Sequence, residues 1–131
     1  MDREALEILA KEIVDAAFAV HSALGAGLLE SSYEMALCHE FKLRGIEFER
    51  QKEMPVTYKG VALDCGYRMD ILVADEIVLE LKAVEATLPI HEAQILSYLK
   101  HAGKPLGFLI NFNVALIKDG IRRRALRLPL S

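Results

Sequence analysis

The chain has 131 residues, 53% hydrophobic and 27% charged, a balance that excludes disorder and suits one folded unit, so a single domain over residues 1–131 is expected. With 16 Lys and Arg against 19 Asp and Glu the net charge is −3, which excludes a protein that holds nucleic acid by bulk positive charge. No apolar run nears the roughly 20 residues of a membrane span, Asp2, Arg3 and Glu4 do not read as a signal peptide, and Cys38 and Cys65 lack zinc or disulfide spacing. A cytoplasmic protein with reduced, packed thiols and no membrane partner is expected.

Leu6, Leu9, Ile13, Ala17, Val20 and Leu24 recur at three- and four-residue steps, the apolar face of a helix that Gly25 and Gly27 end. Tyr33, Leu37 and Phe41 predict a second helix stopping at Gly45, and the two make an N-terminal helix hairpin. The period then changes. Ile46, Phe48 and Arg50 alternate with Glu47 and Glu49, and Val56 and Tyr58 precede a Lys59–Gly60 turn, so strands begin here.

Two apolar runs, residues 69–73 and 77–81, are separated by Ala74, Asp75 and Glu76 and predict an antiparallel hairpin. Pro89 opens a helix through Ile90, Ala93, Leu96 and Leu99 that Gly103 breaks. A buried strand follows at residues 106–111. Residues 114–117, an Asp119–Gly120 turn and Ile121 onward are expected to form a closing hairpin, with Asp-Gly taking positive φ. Arg122, Arg123, Arg124 and Arg127 form a basic patch, read as a solvated face and weak support for nucleic-acid contact. No repeat or linker interrupts this α/β pattern.

A loop centred on Asp75 sets opposite one another residues whose numbers sum to about 150, which places Asp70 across from Glu80. Like charges so opposed destabilise a sheet, and something positive should sit between them. Alternation gives Lys82 the same face as Glu80, while Leu79 and Leu81 turn the other way into the core. Ile77, Val78 and Leu79 are continuously apolar, as in a strand covered on both faces, where charges are costly unless paired or metal-bound. Two carboxylates and a lysine suit Mg²⁺ and phosphoester chemistry.

Asp70, Glu80-Leu81-Lys82 and a helix bearing Gln94 and Tyr98 resemble the PD-(D/E)XK nuclease superfamily in its Q-x-x-x-Y branch. The segment Gly27-Leu28-Leu29-Glu30-Ser31-Ser32-Tyr33 is similar to the motif of the GxxExxY family within it, and His21 and Leu109-Ile110-Asn111-Phe112 extend the likeness to about residues 13–126. Met69 stands where the superfamily's name has proline.

The resemblance implies a restriction-endonuclease-like core, with a mixed central sheet flanked by helices. It implies metal-dependent phosphodiester hydrolysis, with Asp70, Glu80 and the Leu81 carbonyl on Mg²⁺ (Mn²⁺ as a substitute), Lys82 as catalytic lysine, and Glu30 as a fourth catalytic residue and further metal ligand. Gln94 and Tyr98 would orient the site or touch substrate. Tyr33 could bind a phosphate or serve as a packed aromatic. His21 reads as a core residue ahead of a site residue, and Arg68 as a surface charge ahead of a phosphate contact. The expected partner is nucleic acid, DNA ahead of RNA, with monomer and homodimer both open. The alternative is a catalytically weak or inactive nucleic-acid-binding or regulatory module on the same fold.

Overall fold

The computed structural model describes residues 1–131. The Asp2 carboxylate accepts from the Ala5 amide at 2.8 Å and opens α1 (Arg3–Leu24), which Gly25 ends. A short turn leads into α2 (Glu30–Arg44), closed by Gly45 in the left-handed conformation. There follow β1 (Phe48–Glu53), β2 (Val56–Tyr58), β3 (Val61–Leu63), β4 (Arg68–Val73), β5 (Ile77–Lys82), α3 (Pro89–Ala102), β6 (Leu106–Asn111), a 3₁₀ turn (Ile117–Gly120) and β7 (Ile121–Ala125).

Five strands form one sheet in the order β1-β4-β5-β6-β7. The β5–β6 pair is parallel and the others antiparallel, because α3 carries the chain back across the sheet between them. The β2–β3 hairpin stands apart, turning through Lys59 and Gly60, both at positive φ.

The sheet is covered on both faces. On one side Leu6 and Ile13 of α1 and Leu37 and Phe41 of α2 join Ile71, Leu79, Leu81 and Phe108 in one core cluster. On the other, Ile95 and Leu99 of α3 meet Leu72, Val78 and Leu109. Ile77, Val78 and Leu79 are continuously apolar because both faces of β5 are buried, and each such side chain contributes about 1.5–3 kcal/mol. Alternation therefore gives Glu80 and Lys82 the α3 side of β5, with Val78.

Three expectations fail. Residues 114–117 form no strand; β7 pairs with β6 instead, from Leu106↔Ala125 to Ile110↔Ile121. The Val114 carbonyl bonds the His21 ring at 2.8 Å, which ties this loop to α1 rather than to a ladder. Nor does Gly120 adopt positive φ. It is needed for space, since a Cβ there would lie 2.0 Å from the Asn111 carbonyl oxygen. Cys65 is also exposed rather than packed, whereas Cys38 is buried.

Gly120→Ala should therefore destabilise the fold by about 3 kcal/mol, because backbone rather than a movable side chain must give way. Urea denaturation measures this, and a loss below about 0.5 kcal/mol would contradict the close approach.

Candidate functional site

The β4–β5 ladder pairs Val73 with Ile77, Leu72 with Val78 and Ile71 with Leu79, and there it ends. Beyond it, side chains take over from carbonyls. The Asp70 amide donates to Glu80 Oε1 at 3.2 Å, and the Leu81 amide donates to Asp70 Oδ2 at 2.8 Å. The strands part at the point where the two carboxyls meet, and each backbone donor remains satisfied.

Only 5% of Glu80 is exposed. Burial pushes its carboxyl up to about 9, with the Asp70 charge adding to the rise; the Asp70 amide bond and the Lys82 charge oppose it. At neutral pH Glu80 thus holds a proton beside Asp70. Glu30 begins α2, and its carboxyl also lies above its ordinary value, chiefly through partial burial and then through the charges of Asp70 and Glu34, with Lys82 opposing. Glu30, Asp70, Glu80 and Lys82 are within electrostatic reach of one another.

Behind this group lies a set of residues that sequence reasoning missed. Glu34, one turn after Glu30, is buried and accepts from Arg50 Nε at 2.5 Å and from Gln51 Nε2 at 2.8 Å. The Gln51 amide also reaches Asp70 Oδ1 at 3.4 Å. Gln51 sits opposite Asp70, between the pairs Arg50↔Ile71 and Lys52↔Met69, and has φ 53. A left-handed glutamine costs roughly 1–2 kcal/mol, and here it lets one side chain span from α2 to the Asp70 carboxylate. The four-residue step from Glu30 to Glu34 was a readable signal; the backbone kink at Gln51 was not.

Tyr33 is not brought to the carboxylates. Its hydroxyl donates to the Gly25 carbonyl at 2.6 Å and accepts from the Leu28 amide at 3.1 Å, while its buried ring stacks on Phe112 at 4.6 Å. Of its two open roles the structure supports the packed one, which holds the turn leading into Glu30. His21 is a core residue bonded to Val114. Tyr98 does face the site: burial raises its hydroxyl pKa, the charges of Glu80 and Asp70 add to this, and a bond from Gln94 opposes it. Arg68 pairs with Glu53 at 3.7 Å and donates to the Gln51 carbonyl at 3.2 Å, so it braces β1 against β4.

The arginine patch is partly neutralised. Arg123 on the edge strand β7 pairs with Glu7, while Arg124 and Arg122 approach Glu92 at 2.8 and 3.8 Å. Two carboxylates thus face three of the four arginines, which weakens the patch as a phosphate site.

A mixed sheet with two helices on one face, a crossover helix on the other and an acidic pair where the central strands part defines an α/β domain with a restriction-endonuclease-like core. A family model described as the PD-(D/E)XK nuclease superfamily matches residues 7–124; the chain belongs to that superfamily. Comparisons with curated proteins and with solved structures gave no match.

Nucleases of this superfamily generally use a divalent metal. No three Asp, Glu, His or Cys side chains gather closely enough here to hold an ion unaided. Mg²⁺, however, is commonly held by one or two carboxylates with water and substrate oxygens completing the shell. The oxygen donors of Asp70 and Glu80, set side by side where the strands part, fit that mode.

The Glu80 proton has a consequence for stability. Below about pH 4.5, its ordinary value, folded and unfolded states both hold the proton; between there and about 9 only the folded state does, so stability falls as pH rises through that window. Without divalent metal, Glu80→Gln, which mimics the neutral acid, should exceed the parent by about 2–4 kcal/mol at pH 8 and match it near pH 4. Equal stabilities at pH 8 in thermal or urea melts would contradict a protonated Glu80.

Proposed function

We propose that this chain is a metal-dependent nuclease of the GxxExxY family, a single domain acting in the cytoplasm on phosphodiester bonds of nucleic acid. The observation that carries the reading is the Asp70–Glu80 pair where β4 and β5 part, with a buried, protonated Glu80 beside a half-buried Asp70 and the Lys82 charge next to them.

Asp70 and Glu80 are the residues to hold Mg²⁺ or Mn²⁺, with the Leu81 carbonyl and Glu30 as further oxygen donors. When bound, the cation polarises the phosphate and lowers the pKa of attached water. Lys82 supplies fixed positive charge where negative charge develops on the phosphate oxygens, in a setting of low dielectric where such charge acts strongly. Glu30 lies close to the exposed side of the group, and its raised carboxyl pKa equips it to accept a proton. Asp70 is held by the Leu81 amide and Gln51, so its orientation is set before substrate arrives. Gln94 and Tyr98 approach from α3 and orient substrate backbone from that side.

Incubation with single- and double-stranded DNA and RNA in Mg²⁺ or Mn²⁺ tests the reading. Cleavage should require the metal, fall to background in Asp70→Ala, and drop about 10²–10³-fold in Lys82→Ala, the usual cost of removing one fixed electrostatic stabiliser. Undiminished cutting by Asp70→Ala would refute it. Salt-sensitive binding with no cleavage in any metal would assign the fold to an inactive binding module instead.

A further inference from the structure

Beside the carboxylates, on the α3 side of the sheet, lies a cleft of about 460 Å³ between α3 and the arm that carries Met54, Val56 and Tyr67. Its walls contain no Lys, Arg, Asp or Glu, and the exposed His101 is their one basic side chain. Met54, Val56 and Ile90 supply apolar surface, and Tyr67 stands about half exposed at its rim (49%). Tyr98 belongs both to this cleft and to the surroundings of Asp70 and Glu80, and Gln94, also in the cleft, bonds to it. The cleft therefore continues the candidate site away from its charges.

A phosphate would find no fixed counter-charge in such a space, only the imidazole of His101. A nucleobase would: it is flat, neutral and aromatic, it gains from an apolar wall and an aromatic rim, and its edge can meet the neutral amide of Gln94. A paired base in a duplex has both faces covered by its neighbours and cannot enter without being extruded, at a cost of a few kcal/mol. We propose that this cleft receives an unpaired base of the strand whose phosphate lies at Asp70 and Glu80, and that single-stranded nucleic acid is the substrate class. The inference rests on the nuclease reading and narrows it.

Tyr67 is the rim residue that stacks on the base, and Ser97, on the exposed face of α3, is a position from which a larger side chain fills the cleft. Neither belongs to the carboxylate group, and both lie at the surface, so the variants should fold as the parent does.

The test compares a labelled oligothymidylate with a duplex of the same length, measuring binding by anisotropy in EDTA and cutting in Mn²⁺. The parent should favour the single strand at least tenfold in both. Tyr67→Ala should weaken single-strand binding about tenfold, the usual loss for one base–aromatic stack, and leave duplex binding unchanged, while Tyr67→Phe keeps parental affinity. Ser97→Phe should cause the same loss by occupying the cleft. An abasic position stepped along the oligothymidylate should weaken the parent at one register and leave Tyr67→Ala indifferent. Equal use of duplex and single strand, with both variants silent, overturns the cleft assignment and leaves the nuclease reading standing. A parent that neither binds nor cuts either probe, nor their RNA counterparts, overturns both.

Discussion

Two carboxyl groups set side by side on adjacent strands, on a sheet covered by helices, repel one another and lose hydration, and the surrounding structure must offset both costs. In this chain the offset has three parts. Glu80 keeps its proton, raised to about 9 by burial and by Asp70. Asp70 draws bonds from the Leu81 amide and Gln51. Lys82 adds positive charge on the same side of β5 as Glu80.

The rest of the molecule holds that arrangement in place. The core on both faces of β5 prevents Glu80 from swinging into water. Alpha-helix α2 delivers Glu30 and Glu34 one turn apart, and Tyr33 fixes the turn before them through the Gly25 carbonyl and the Leu28 amide. Strand β1 accepts a left-handed Gln51 so that its amide reaches both Glu34 and Asp70. A strained, polar network built around two buried carboxyls, Glu34 and Glu80, does little for stability that apolar residues would not do better. Its value lies in orientation.

Much of the fold was legible from period and punctuation. The helices ending at Gly25, Gly45 and Gly103, the hairpin register through Val73↔Ile77, and the doubly covered β5 all follow from local pattern. What was illegible depended on distant partners. Asp119–Gly120 looked like a tight turn, yet Gly120 is required by the approach of Asn111; residues 114–117 looked like a strand, yet Val114 is claimed by His21 across the fold. The arginines of β7 read as a solvated face, and their pairing with Glu7 and Glu92 likewise depends on residues distant in the chain. Of the site, Asp70, Glu80 and Lys82 could be aligned from hairpin arithmetic, whereas Gln51 and Arg50 acquire meaning only when α2 is laid beside β1.

The central claim is that a divalent cation takes the place of the proton that Glu80 holds beside Asp70. Calorimetric titration of Mn²⁺ at pH 7, repeated in buffers of different ionisation enthalpy, counts the protons released on binding. The account predicts about one proton released per Mn²⁺ bound by the parent chain and none for Glu80→Gln. Binding without proton release, or release unchanged in Glu80→Gln, would contradict it.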